Sequence, residues 1–128
     1  MNQALKILVV DDNEQDRKII KRILRQAGHA EPLEARSAQE AANLAGSHSI
    51  DAAIVDTVLP DAEGFEICLN IRMLHPDAKI IMITGHIDAL DAGRARKAGA
   101  DDYVVKTVDG NPLIEALAEH LPGGRDDG

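Results

Sequence analysis

Five short aliphatic runs, each closed by a charged or hydroxyl side chain, alternate along this chain with longer stretches of helical periodicity. Residues 6–10 (KILVV) are β-branched and apolar and end on Asp11 and Asp12, which predicts a buried first strand. Ile19, Ile20, Ile23, Leu24 and Ala27 then fall on one stripe of a helix, with lysines and arginines opposite, and Gly28 stops it. Residues 30–35 predict a weaker second strand, and Pro32 within it belongs at a sheet edge because it cannot donate to a ladder. Ser37 with Glu40 has the spacing of a capping box and opens an alanine-rich helix to about Gly46.

Residues 52–55 (AAIV) predict a third strand that delivers Asp56 at its carboxyl end, with Pro60 and Gly64 in the loop behind it. A helix from Glu63 to about Leu74 follows, bounded by Pro76. Residues 79–84 (KIIMIT) predict the fourth strand, with Gly85 directly after Thr84. Ala89, Ala92, Ala95 and Ala98 line one face of the next helix, which Gly93 weakens by up to ~1 kcal/mol relative to alanine. Residues 103–105 read as a fifth strand ending at Lys106. Asn111 as cap and Pro112 in the first turn open a last helix to about Leu121, where Pro122 stops it. Five strand-helix units with short connections imply one α/β domain over residues 1–122. Its expected architecture is a (βα)5 doubly wound, five-stranded parallel sheet with helices on both faces and right-handed crossovers. Residues 123–128 (GGRDDG) have the composition of a flexible tail or truncated linker.

Composition narrows the function classes. A 128-residue chain that is 45% hydrophobic and 28% charged suits one globular domain with a real core. Its formal net charge of −8 argues against direct nucleic-acid contact, which needs a basic stripe, and suits a divalent cation or a basic protein partner. Cys68 is the single cysteine, so an internal disulfide is excluded and a helix-face or core position without redox role is expected. Residues 7–10 are too short for a signal-peptide core, and no apolar stretch approaches the ~20 residues of a membrane helix. A cytoplasmic protein without membrane contact is the expectation.

In a parallel sheet the residues that end the strands share one rim, and ligands of such sheets bind outside that rim. Asp11, Asp12, Asp56, Thr84 and Lys106 all end strands. Three carboxylates in one pocket repel one another, and Lys106 offers only one positive charge. Hard oxygen donors make Mg²⁺ the natural supplement.

The ordered set VVDD at 9–12, D-x-x-x-P-x-x-x-G at 56–64, TG at 84–85 and AGADDYVVK at 98–106 resembles the receiver domain of bacterial two-component response regulators, of the chemotaxis-regulator kind. The resemblance runs from Lys6 to about Leu121. It implies a flavodoxin-like strand order 2-1-3-4-5, with Asp56 as phosphoacceptor for a phosphoryl group held on a histidine of a partner. Mg²⁺ would be held by Asp11, Asp12 or both, together with Asp56 and the main-chain carbonyl of Val58. Lys106 would pair with Asp56 and then with a phosphoryl oxygen, while Thr84 would donate its hydroxyl to another. Tyr103 would then move inward behind Thr84 and reshape the face made by the fourth helix, fifth strand and fifth helix. The implied partners are a sensor histidine kinase or phosphotransfer protein upstream and an effector protein or fused output domain downstream. The implied state is a monomer or a phosphorylation-dependent dimer. Such a domain is a switch that promotes its own phosphorylation and dephosphorylation and is not a general turnover enzyme. Val58 and His86 stand two residues after Asp56 and Thr84, where receivers border the path of the hydrolytic water. Val58 is expected to set phosphoryl lifetime by excluding water and His86 by a pH-sensitive hydrogen bond.

One departure stands out. Receivers usually carry proline after the lysine, joined by a cis bond, and this chain has Thr107. A non-proline cis bond costs ~2.5 to 4 kcal/mol, so a trans bond and a rearranged loop are expected. Thr107 also keeps open a degenerate receiver that acts by protein contact without phosphorylation. A Mg²⁺-dependent aspartyl phosphohydrolase of the haloacid-dehalogenase type needs a second acid two residues after the nucleophile, where Val58 stands. A flavin or nucleotide carrier needs Gly, Ser or Thr after the first strand, where this chain has DDNEQD.

Overall fold

The alternation of runs becomes an alternation of elements in the computed structural model, which describes residues 4–121. The strands are β1 (Ile7–Val10), β2 (Leu33–Ala35), β3 (Ala52–Asp56), β4 (Lys79–Thr84) and β5 (Asp102–Val105). The helices are α1 (Glu14–Gln26), α2 (Ala38–Ser47), α3 (Gly64–Leu74), α4 (Ala89–Lys97) and α5 (Asn111–His120). All strands are parallel, in the order β2-β1-β3-β4-β5. The predicted stop at Pro122 and the tail at 123–128 lie outside the described residues. No described helix is long and apolar enough to cross a membrane.

The runs lack polar alternation because both faces of the sheet are covered. Leu8, Val10, Ala53, Val55, Ile80 and Met82 point to one side, where α2, α3 and α4 bring Ala41, Ala45, Phe65, Ile67, Cys68, Ile71 and Ala95. Ile7, Val9, Ile54, Ile81 and Ile83 point to the other, under Ile20, Ile23 and Leu24 of α1 and Leu113, Ala116 and Leu117 of α5. A side-chain period of two thus feeds two cores from every central strand. Cys68 belongs to the first core: its thiol donates to the Ala98 carbonyl (3.3 Å), and burial pushes its pKa up to about 11. That leaves no reactive thiolate at neutral pH.

Local chemistry differs from the sequence reading at four points. β2 begins only after Pro32, which lies outside the ladder, although the strand does form the sheet edge. Ser37 caps α2 by accepting from the Glu40 N–H (3.1 Å), but the Glu40 carboxylate turns to the N–H of Arg36 (3.0 Å) and not to that of Ser37. In α4 the alanine stripe is buried only at Ala95 and at the C-cap Ala98, while Ala89 is exposed, so this helix is held mainly by its last turn. The N-cap of α5 is Gly110, at φ +71°, and Asn111 is the first helical residue. Asp109 takes over the capping by accepting from the Asn111 N–H (2.9 Å).

Candidate functional site

Ladder register sets the site. Val10 of β1 lies opposite Val55 of β3, so the next residues, Asp11 and Asp56, emerge level with each other. Asp56 in turn faces Ile83, and Thr84 faces Val105, so Lys106 projects from the same rim. This rim sits where the chain leaves β1 for β2 on one side and β3 lies on the other, the topological switch point at which open α/β sheets bind ligands.

Asp11 is fully buried. Its N–H joins the ladder to Ala35, its carbonyl accepts from Arg17 Nη1 (2.7 Å), and its Oδ1 accepts from the Asn13 N–H (2.9 Å). Burial raises its pKa above the usual carboxylate range. Asp12, beside it, is exposed. Asp56 is buried, with Oδ1 accepting from the Val58 N–H (3.1 Å) and Oδ2 accepting from Lys106 Nζ (2.8 Å). Lys106 Nζ stands 2.8 Å from carboxylate oxygens of Asp11, Asp16 and Asp56 alike. Burial works against its charge, but the three carboxylates outweigh that and hold its pKa above the usual lysine range.

The loop from β3 to α3 is a tight reversal. The Gly64 N–H donates to the Thr57 carbonyl (2.9 Å) and the Leu59 N–H to the Ala62 carbonyl (3.2 Å), which pairs Val58 with Glu63 across the turn. Gly64 passes so close to Asp56 that a Cβ there would collide with the Asp56 carbonyl oxygen. Asp61 at the tip accepts from the N–H groups of Ala38 and Gln39 (2.8 and 3.0 Å), tying the acceptor loop to the start of α2. Val58 holds its side chain 71% exposed, and His86 is also exposed at the rim.

Thr84 is buried and its hydroxyl is engaged elsewhere: it donates to the His86 carbonyl (3.0 Å) and accepts from the Thr57 hydroxyl (3.2 Å). Tyr103 already packs against the α2/α3/α4 core, with its hydroxyl buried and without a hydrogen-bond partner. The Lys106–Thr107 bond is trans, as expected, since no described peptide bond is cis. The loop after β5 is instead shaped by side chains: Thr107 Oγ1 accepts from the Gly110 N–H (3.1 Å) and donates to Asp109 (2.7 Å). Lys106 keeps its aim at Asp56 all the same.

Sequence reasoning missed Asp16, Arg17 and Thr57. Asp16 and Arg17 sit in the first turn of α1, directly beyond the carboxyl end of β1, and that placement is the signal that could have found them. A second group of donors, Asp102, Glu119 and His120, lies at the opposite end of the sheet, where His120 Nε2 pairs with Asp102 (3.0 Å).

The donor set fits a hard cation. Oxygens of Asp11, Asp12 and Asp56 lie within 4.8 Å of one another. Asp11 Oδ2 is buried and, although near the Lys106 charge, receives no directed hydrogen bond. Among the described residues no donor reaches the Val58 carbonyl. All of these are oxygen donors, the chemistry of Mg²⁺ or Ca²⁺.

The rim of this doubly wound domain thus sets oxygen donors suited to a cation beside one ammonium suited to an anion. The chain belongs to the response regulator receiver domain family, whose pattern it matches over residues 7–118. It is 34% identical over 127 residues to a chemotaxis protein CheY homolog of Campylobacter jejuni, covering 97% of this chain and 98% of that protein. It is 33% identical over 115 residues to the transcriptional regulatory protein YvrH of Bacillus subtilis, covering 90% of this chain but 48% of that protein. The chain thus spans about half the length of that longer relative. A response regulator from Burkholderia pseudomallei, crystallised with a phosphorylated aspartic acid, calcium ion and citrate, superposes with a TM-score of 0.79 at 32% identity. The match covers 91% of this chain and 66% of that one.

Proposed function

We propose that this domain is a phosphorylation-dependent switch in which Asp56 accepts a phosphoryl group from a phosphohistidine of a sensor kinase or phosphotransfer protein. The observation that carries the reading is one ammonium, Lys106 Nζ, held 2.8 Å from the carboxylates of Asp11, Asp16 and Asp56 at the carboxyl end of β3. Phosphoryl transfer is mostly positioning and charge neutralisation, and this rim offers both. A carboxylate oxygen of Asp56 forms a bond to phosphorus as the P–N bond breaks, and the electron pair stays on the imidazole nitrogen of the donor. Lys106 neutralises charge on the transferred group as a compact cation. Mg²⁺, held by Asp11, Asp12, Asp56 and the Val58 carbonyl, would supply the remaining neutralisation. Hydrolysis returns the carboxylate when water attacks phosphorus and the acyl P–O bond breaks.

The added ~1.5 to 2 negative charges give Thr84 a stronger acceptor than the His86 carbonyl, so its hydroxyl turns toward Asp56. That exchange frees the β4–α4 loop and acts on α4, Tyr103 and the α4/β5/α5 face as a population shift toward the form an effector protein or output domain recognises. Val58 and His86, at the ends of the two loops that flank Asp56, tune the lifetime of the phosphoryl group.

Incubation with Mg²⁺ and acetyl phosphate, followed by intact mass, tests the acceptor. One phosphoryl group is gained by the wild type and none by Asp56→Asn. A degenerate receiver predicts no gain from acetyl phosphate, phosphoramidate or a phosphorylated histidine-kinase donor alike, and that combined result would remove the proposal. His86→Ala alters the rate of phosphoryl loss between about pH 5.5 and 8; an unchanged pH profile removes His86 from the reading.

A further inference from the structure

Lys106 Nζ donates to Asp16 of α1 and Asp56 of β3 (2.8 Å each), and Asp11, just after β1, stands 2.8 Å from it without a directed hydrogen bond. Asp11 and Asp56 belong to the cation and acceptor cluster, but Asp16 does not. It comes from the first turn of α1, 90 residues away in sequence from Lys106. Its place is built by its neighbours. The Asp16 N–H donates to the N-cap side chain of Asn13 (2.9 Å), and the next residue, Arg17, ties the same turn to the Asp11 carbonyl (2.7 Å) and to Glu34 (3.2 Å). An acid in the first turn of a helix is also favoured by the helix dipole. Asp16 is therefore carried against Lys106 by anchored backbone and is not a roaming surface acid.

We propose that Asp16 is a counter-anion that competes with the phosphoryl group for Lys106, setting how readily Asp56 is loaded and how long it stays loaded. The proposal rests on Asp56 being the acceptor. With Nζ donating to Asp16 and Asp56 and Asp11 standing 2.8 Å away as a third negative neighbour, a phosphoryl group gains Lys106 only if one carboxylate gives way. Asp11 is fully buried, and stripping its counter-charge is costly. The Asp16 side chain is 35% exposed, so water solvates it on release, and it is the partner that lets go. Its negative charge nevertheless stays beside the loaded site and repels the phosphoryl oxygens. Removing that charge acts twice in one direction: a donor of Lys106 is free beforehand, and the repulsion is gone. The opposing effect, a looser Lys106, is small because Asp11 and Asp56 still hold it. Asp16 is a positioning residue, since it acts through Lys106 and touches no reacting atom.

The test compares wild type, Asp16→Asn and Asp16→Glu, with circular dichroism melts showing that each is folded. Loading by acetyl phosphate with Mg²⁺ and the later loss of the phosphoryl group are followed by intact mass. Without the metal, the Lys106 ammonium is observed by NMR. For Asp16→Asn the expected results are loading faster by roughly two- to fivefold, the scale of a partly exposed ion pair, and slower loss. Its Lys106 ammonium resonance shifts and its protons exchange faster with water. Asp16→Glu keeps the charge and stays near wild type, which a purely structural role would not produce. Loading by Asp16→Asn that is equal or slower, or an Asp16→Glu that behaves like Asp16→Asn, overturns the proposal. If the wild type takes up no phosphoryl group, the acceptor assignment fails first, and an unmoved Lys106 resonance separately shows that Asp16 does not hold the lysine.

Discussion

Replacing Lys106 by methionine removes one ammonium, keeps most of the aliphatic stem, and leaves Asp11, Asp16 and Asp56 facing one another. At 2.8 Å each pair with Nζ carries about 6 kcal/mol of Coulomb attraction at an effective dielectric of ~20, much of it offset by desolvation. Removing one partner of a buried pair costs ~3 to 5 kcal/mol. The Lys106 side chain is 24% exposed, which places Lys106→Met at the lower end, about 3 kcal/mol. For a domain of this size that is a fall in Tm of roughly 10 °C. The loss is pH-dependent with a defined sign. Without the ammonium the buried Asp11, whose pKa burial already raises, takes up a proton in the folded state at a higher pH than it does when unfolded. The folded variant then binds more protons than the unfolded chain, so its stability falls as pH rises through that raised pKa. Urea unfolding followed by circular dichroism at about pH 8 and pH 5.5 measures the deficit, which is largest at the higher pH and shrinks at the lower. A deficit below ~1 kcal/mol at pH 8, or one that does not shrink on acidification, would refute the charge-balance reasoning.

Other outcomes follow from single features. His29 is 7% exposed with both ring nitrogens unpartnered, and burial lowers its pKa. The unfolded chain therefore binds its proton first, and stability is lost as pH falls below ~6.5, by at most ~1.4 kcal/mol per pH unit. Unfolding of His29→Leu between about pH 5 and 7.5 lacks that component, and parallel curves for the two proteins would count against it. Gly64→Ala drives a Cβ into the Asp56 carbonyl, costing ~1 to 3 kcal/mol and displacing the acceptor; a variant with unchanged melting and unchanged loading would exclude the close approach. Tyr103→Phe removes a buried hydroxyl that has no partner, so it leaves stability equal or raises it by up to ~1 to 3 kcal/mol, and a clear loss in chemical denaturation would show that the hydroxyl is bonded. Millimolar Mg²⁺ raises the Tm of Lys106→Met more than that of the wild type, because the cation restores missing positive charge; equal shifts would argue against the carboxylate cluster as its site.

The strand-helix alternation, the edge position of β2 and the rim of Asp11, Asp12, Asp56, Thr84 and Lys106 were all legible along the chain. Each depends on something one-dimensional: an unbroken apolar run marks a strand buried on both faces, and the first polar residue after it marks the end where a parallel sheet exposes its ligands. The resemblance to receivers follows from the same residues read in order. Shorter-range details were less secure. The Glu40 carboxylate chose Arg36, and the cap of α5 moved to Gly110, because the competing N–H groups lie within a residue or two of each other and only the final backbone path selects among them.

What tertiary structure alone decided is the company each rim residue keeps. Docking of α1 over the sheet set Asp16 beside Lys106, and the same turn placed Arg17 on the Asp11 carbonyl. Packing turned the Thr84 hydroxyl to Thr57 and His86 and laid the half-buried Tyr103 ring against the core. It also let Thr107, Asp109 and Gly110 build the loop after β5 while Lys106 still reached Asp56. Hydrophobic periodicity states which face of an element is buried, but not which charged side chain of another element will lie a hydrogen-bond length away. That is settled by strand register and helix docking, which sum over contacts along the whole chain.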